Sequence, residues 1–399
     1  MKNMGTHNPK QVIERLQVIL SNPAKKFGFL LGAGISAKDK KGQGLIETSQ
    51  EMIKTVTGEF SGTTKSAIEQ IKKDIENNNE KFNIETLLSK ISEKERAVGS
   101  EALCGLKKDK LTKLRKDIEN KIKKIVSVHS QPGFSDKELN HDDFAKWIKN
   151  ADRKFPVEIF TTNYDYLLES GLEKQKVPYF DGFIGSNKAF FYPEWIEDSN
   201  PVKYWTKLWK LHGSLGWALE NKEITRVSDT KDSAMIYPSF LKYDHSRKQP
   251  YLSYMDRLSY FLKQEDSVLF VCGYSFGDDH INGMILTALT NSRSSHVFVL
   301  KRGEMEEGDV LSKYAKGSSK ISVYAKRTAV IGCEFGEWKL EREPNRNESY
   351  NLLDYGFDED AVQKNDVWTG KGDFWLGDFK KLSDFLALFY TNSRFIIEG

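Results

Sequence analysis

Three observations predict a doubly wound, largely parallel α/β sheet. The stretch FGFLLGAGIS, Phe27 to Ser36, is an apolar run that breaks into a glycine-rich turn, as a buried strand entering a loop does. The stretch SVLFVCGYSFGDDHIN, Ser267 to Asn282, repeats that order of apolar strand, Gly/Ser turn and helix start. Strand-like runs alternate with helically spaced ones along the chain, the pattern of parallel strands joined by crossover helices.

The elements follow in order. Val12, Leu16, Ile19 and Leu20 form the apolar face of a first helix, and the Phe27 strand comes next. From about residue 48 to 150 the composition shifts to Lys, Glu and Asn with few aromatics, and the apolar residues keep helical spacing. Ile68, Ile71 and Ile75 make one stripe; Leu111, Leu114, Ile118, Ile122 and Ile125 make another. This region reads as a helical insertion. Its basic segment LKKDKLTKLRKDIENKIKKIV could meet nucleic acid, but Asp117 and Glu119 interleave with the lysines above the stripe, which suits a solvated helix face better. A second strand at Val157, Ile159 and Phe160 ends in Thr161-Thr162-Asn163-Tyr164-Asp165 before a helix resumes at Tyr166. An aromatic-rich stretch then leads to KLHGS, Lys210 to Ser214. In the Ser267 segment, Asp278 or Asp279 is the expected N-cap of the helix. Ser294 to Arg302 is a further strand.

The rhythm is lost after about Lys320, so the expected division is one nucleotide-binding domain over 1–320 and an appended module over 321–399. Trp338, Trp368, Phe374, Trp375 and Phe379, set among Gly and charge, suit an interface anchor in such a module. The alternative is a C-terminal helix, LSDFLALFY, packed back on its own domain.

Composition narrows the function classes. With 39% hydrophobic and 12% aromatic residues, the 399-residue chain has enough apolar material for a sizeable core. A net charge of +3 neither demands nor excludes a polyanionic partner. No apolar run approaches the length of a membrane span, and the first residues carry no signal-peptide core, so a cytoplasmic protein is expected. Cys104, Cys272 and Cys333 stand far apart, and without a Cys-x-x-Cys pair no metal site is expected.

Three strand ends therefore carry small or polar residues: Gly32 to Ser36, Thr161 to Asp165, and Gly273 to Phe276. A Gly-Ala-Gly turn lets backbone N–H groups approach a pyrophosphate, although tight loop geometry alone also explains such a turn. Four capping-type residues between Thr161 and Asp165 exceed what one helix start needs. His212, one of seven histidines, reaches a Gly-Ser turn from an apolar segment. Beside a nucleotide site it is a general-base candidate, and elsewhere a hydrogen-bonded core residue.

Gly-Ala-Gly-Ile-Ser at 32–36, Thr-Thr-Asn-Tyr-Asp at 161–165, Lys-Leu-His-Gly-Ser at 210–214 and Gly-Tyr-Ser-Phe at 273–276 resemble, in order, the GAGIS, TQNID, HG and GTS blocks of the sirtuin family. Phe82 to Leu88, FNIETLL, also resembles the bacterial sirtuin-like branch. The resemblance spans roughly residues 20 to 305 and implies a Rossmann-type sirtuin-like fold with NAD as substrate. It assigns the nicotinamide ribose to Asn163, the nicotinamide side to Asp165 and the catalytic role to His212. Gly32, Ala33, Gly34 and Ser36 take the pyrophosphate side, Thr161 lies in the same nucleotide cluster, and Gly273 and Ser275 take the phosphates and adenosine ribose.

The sequence also departs from the family. The four-cysteine zinc module of protein deacylases is missing. The only Phe-Gly-Glu, Phe335 to Glu337, lies far beyond Gly273 and cannot serve as the substrate strand. The loop after the glycine turn reads AKDKKGQG in place of an arginine-bearing one. The resemblance is thus to bacterial anti-phage sirtuin-like proteins that hydrolyse NAD. It is greatest to the subunit that partners a HerA-type DNA-translocating ATPase in large assemblies. What this implies is an NAD glycohydrolase, a homo-oligomer, a HerA-type partner and contact with nucleic acid through that partner. Its rivals are a sirtuin deacylase and an NAD- or ADP-ribose-binding structural subunit; a nuclease activity lacks a carboxylate cluster to support it.

Overall fold

The computed structural model describes residues 5–37, 45–78, 80–99, 102–131, 134, 139–186, 188–197, 202–220, 223–227, 249–344, 352–359 and 368–391. β1 (Gly5–His7), α1 (Pro9–Leu20) and β2 (Lys26–Leu31) come first. Then α2 (Ser49–Gly58), α3 (Gly62–Asn77), α4 (Ile84–Ala97), α5 (Lys108–Val126) and α6 (Asn140–Asn150) separate β2 from β3 (Glu158–Thr161). The path to β7 (Thr206–Lys210) runs through α7 (Leu167–Lys174), β4 (Tyr179–Phe180), β5 (Phe183–Ile184), β6 (Ala189–Phe191) and α8 (Glu194–Glu197). β8 (Trp217–Glu220), β9 (Glu223–Arg226) and α9 (Tyr251–Lys263) precede β10 (Ser267–Cys272), α10 (Asp279–Asn291), β11 (His296–Leu300) and α11 (Val310–Lys316). After them come β12 (Ile321–Tyr324), β13 (Thr328–Ile331), β14 (Glu334–Trp338), β15 (Phe357–Asp358), β16 (Asp373–Phe374) and α12 (Phe379–Thr391).

Ten strands form one sheet in the order β1-β14-β13-β12-β11-β10-β2-β3-β7-β4. From β12 through β4 every pairing is parallel, and only β13 runs against its neighbours. The chain passes from β2 to β3 and outward to β7, then returns to the other side of β2 with β10. This is a doubly wound sheet whose direction reverses between β2 and β10, where such folds open a crevice beyond the strand ends.

Alternation along the strands builds the two faces. Phe27, Phe29, Leu31, Ile159, Leu208, Phe270 and Phe298 point to one side, against α1, α6, α7 and α12. Leu30, Phe160, Trp209, Leu269, Val271 and Val299 point to the other, against α9, α10 and α11. Strands covered on both faces read as continuous apolar runs, which is why β2 and β10 stand out in the sequence. The first helix starts where its chemistry allows: Pro9 opens α1, and Asn8 accepts the Lys10 N–H at 3.0 Å.

The expected insertion has its own core. Ile53, Val56, Ile71, Ile75, Leu88, Leu114 and Ile118 of α2 to α5 pack together, and Leu167 and Leu215 of the main body join them. The α5 stripe is buried, while Arg115 on its flank pairs with Glu95 and Glu119, each at 2.8 Å. Helix α6, within the same expected range, belongs instead to the main body: Phe144 and Trp147 pack against Phe29.

Beyond residue 320 the structure departs from the expected appended module. β12, β13 and β14 extend the large sheet, and β1 closes its edge by pairing with β14. Trp338, Phe374 and Phe379, expected as interface anchors, are 1%, 1% and 4% exposed within the core under α1 and α6. Phe379 is buried where α12 folds back over α6, the alternative arrangement for the LSDFLALFY segment, while Trp338 and Phe374 stack on each other beside Tyr324 of the sheet. The Phe335 to Glu337 stretch lies on β14, where Gly336 meets the backbone of Gly5.

Candidate active site

The register of four neighbouring strands places the chemistry. Cys272 of β10 stands opposite Leu31 of β2, Leu31 opposite Thr161 of β3, and Thr161 opposite Lys210 of β7. One row of carboxyl ends therefore launches all four polar segments. Asn163 and His212 each stand two residues past a paired partner. The Leu211 N–H donates to Thr161 O at 2.8 Å and the Leu215 N–H to Tyr164 O at 3.1 Å, so the two segments stay zipped beyond the strands.

The glycines first serve to interlock two turns. A Cβ on Gly32 would lie 2.6 Å from Gly273 O, one on Gly34 2.7 Å from Gly273 Cα, and one on Gly273 2.6 Å from Ile35 N. Gly273 also has φ +69°. The Gly34 N–H donates to Gly273 O at 2.9 Å, and the Gly32, Ile35 and Ser36 N–H groups donate to Cys272, Gly32 and Ala33 carbonyls. These amides are therefore spent on holding the turns together. Ala33 and Ser275 are exposed at the rim of the row.

Thr161, 1% exposed, donates its hydroxyl to Leu31 O at 2.8 Å and accepts the Asn163 N–H at 3.1 Å. It thereby ties β3 to β2 and aims the Asn163 backbone. The Asn163 amide reaches Ser36 Oγ at 3.5 Å, and Ser36 Oγ lies 3.4 Å from His141 Nε2 on α6. Asn163 is 5% exposed, yet its Oδ1 has no hydrogen-bond partner among the described residues. A buried carbonyl in that state costs about 1–3 kcal/mol, and its place at the strand end marks where a donor on a ligand would sit. Burial pushes the His141 ring down to about 3, so it stays neutral at physiological pH.

Asp165 is turned toward its own helix: Oδ1 accepts the Leu167 N–H at 3.0 Å. Burial pushes its carboxyl up to about 6; the nearby Lys210 charge opposes that rise and Glu169 reinforces it. Lys210, buried on β7, donates to Asp165 O at 2.5 Å and to Glu169 Oε1 at 2.7 Å, pinning the Thr161–Asp165 turn from beneath. His212 meets Asp278: Nε2 lies 3.1 Å from Oδ2. Asp278 is the N-cap of α10, its Oδ1 accepting the His280 and Ile281 N–H groups at 2.8 and 3.2 Å. Burial works to raise its carboxyl, but the hydrogen bond and charge of His212 and the two backbone N–H groups outweigh it and hold Asp278 below its ordinary value.

All ten expected site residues thus lie at or next to one row of strand ends, drawn from segments up to 243 positions apart (Gly32 to Ser275). Residues 157–319 match the family model of the SIR2-like domain. The match begins at β3 and ends before β12, so it contains Asn163, His212 and Gly273, while the Gly32–Ser36 turn joins them through the pairing of β2 with β3 and β10. A SIR2-like domain is NAD-related in general, and the large parallel-dominated sheet is consistent with a sirtuin-like, Rossmann-type fold. No curated protein matches the chain. Among the described residues no cluster of His, Cys, Asp and Glu is arranged to hold a metal, and no helix is long and apolar enough to cross a membrane.

Residue reading of the sequence missed three participants. Lys210 stands within KLHGS without a local mark of its role, and Asp278 reads in the sequence as a helix cap. His141 lies on a helix assigned to the insertion, and nothing local marks it.

Proposed function

We propose that the chain is an NAD hydrolase that releases nicotinamide and ADP-ribose. The observation that carries the reading is the pairing, within a SIR2-like match, of Asn163 and His212 at equivalent positions past one row of strand ends. The orphaned Asn163 Oδ1 supplies a fixed acceptor for the attacking water or a ribose hydroxyl, with the side chain held by Ser36 and the backbone by Thr161.

Cleavage passes through an oxocarbenium-like state, as other glycosidic cleavages do. The electron pair of the ribose–nitrogen bond leaves with nicotinamide and quenches its pyridinium charge. Water oxygen adds to the ribose carbon and its proton passes to His212, giving nicotinamide, ADP-ribose and one proton. Because the leaving group is already activated, orientation and exclusion of bulk water are the main demands on the protein, and fixed geometry of this kind is worth about 7–11 kcal/mol at most. The resemblance gives Asp165 the nicotinamide side; with Oδ1 taken by the Leu167 N–H, its Oδ2 is the atom that would meet the carboxamide.

The resemblance to anti-phage sirtuin-like proteins extends the proposal to a homo-oligomer that depletes NAD during infection beside a HerA-type ATPase, which would bring it to DNA. Incubation of the purified chain with NAD, alone and with that ATPase, tests the reaction. Nicotinamide release that is absent from both mixtures would refute it.

A further inference from the structure

We propose that Asp278 is the positioning residue of this site: its carboxylate holds His212 with Nε2–H directed at α10, leaving Nδ1 as the nitrogen that takes the proton. The inference deepens the NAD-hydrolase reading, on which the identity of the reaction rests. Oδ1 of Asp278 is already occupied by the His280 and Ile281 N–H groups, and Oδ2 lies 3.1 Å from His212 Nε2. An ionised carboxylate only accepts, so Nε2 must be the donor, and a neutral imidazole then has no proton on Nδ1. Among the described residues nothing else bonds the His212 ring.

The aspartate is not free to swing away. It ends the loop that follows β10, where Gly273 and Phe276 both adopt positive φ. Buried Asn282 braces that loop, donating to Phe276 O at 2.9 Å and accepting the Tyr274 hydroxyl at 3.1 Å. Asp278 thus links the first strand of the row, β10, to the segment leaving the last, β7. When His212 gains a proton, the resulting cation stands beside a carboxylate whose geometry needs no rearrangement. Of the charged side chains on the two segments, Lys210 binds Glu169, and Asp279 and His280 are exposed on α10.

Asp278→Asn tests this, because asparagine keeps the N-cap but presents an N–H to Nε2, forcing the imidazole proton onto Nδ1. In 15N NMR, wild-type His212 is expected as the Nε2–H tautomer at high pH and the variant as Nδ1–H. The rate of NAD cleavage should fall at least about a hundredfold, because the nitrogen that takes the proton is then already protonated. Asp278→Ser, which caps but is too short to reach His212, should release the ring from a single imposed tautomer, and serves if the first variant does not fold. A wild-type Nδ1–H tautomer, or variants with an unchanged tautomer, would overturn the assignment. Tautomer changes without any NAD cleavage in the wild type would leave the positioning role standing and remove the hydrolase reading; cleavage with an unperturbed tautomer would do the reverse.

Discussion

Replacing Gly273 by alanine is expected to cost about 2–6 kcal/mol, and the sum can be worked from the turn. Gly273 sits at φ +69°, where a residue with a Cβ loses about 1–3 kcal/mol. The new methyl would stand 2.6 Å from Ile35 N and 3.0 Å from Gly34 Cα, both backbone atoms that cannot swing aside. Moving one turn off the other adds the cost of overpacking, about 1–3 kcal/mol. Gly283, exposed on α10 with open space around its Cα, is the control: alanine there should stabilise by about 0.5–1 kcal/mol. Urea unfolding followed by tryptophan fluorescence reads both, and NAD affinity should fall only in the first variant. If Gly273→Ala unfolds within about 1 kcal/mol of wild type, the two glycine turns are not locked together and their close approach is no reason for the glycines.

Asn163→Ala and His212→Ala should each abolish nicotinamide release while melting cooperatively near the wild-type temperature, since both lie at strand ends; wild-type turnover by both variants would dismiss the site. Asp165→Asn should raise stability at pH 7.5, because a carboxyl lifted from 3.8 to about 6 is ionised at a cost on the order of 3 kcal/mol in the folded chain. The folded state binds the proton more tightly, so the cost builds as pH rises through 4 to 6, and the variant's advantage should fade when pH is lowered across that window; an advantage independent of pH would be evidence against the shift. Trp338→Ala should cost about 3–5 kcal/mol, and deletion from Cys333 onward should give insoluble protein, because that deletion removes β14 and α12; a soluble, folded truncation would mean the C-terminal segment is separable after all.

The parts of the fold that the sequence revealed share a cause. β2 and β10 are buried on both faces, so nearly every position is apolar and the strand shows as an unbroken run. α3 and α5 carry regular stripes over their own core. β12 to β14 do not stand out because they are only four or five residues long: Ser322 interrupts the apolar run of β12, Thr328 opens that of β13, β14 mixes charged and apolar residues, and β1 is three residues at the sheet edge. Asn163, His212 and the glycine turns were legible because short polar clusters at strand ends violate the surrounding apolar pattern. His141 was not, since its place beside Ser36 comes from the packing of α6 on α7 and α12 and leaves no local trace. The pairing of Asp278 with His212 spans 66 positions and depends on strand order, which spacing alone does not encode.

Cleavage of NAD in H2(18)O is the most direct measurement of the central claim, performed on the purified chain with and without the HerA-type ATPase. Nicotinamide and ADP-ribose are expected in equal amounts, with one 18O at the ribose carbon, and neither from Asn163→Ala. ADP-ribose without label, or undiminished product from Asn163→Ala, would contradict a water delivered by this row of strand ends.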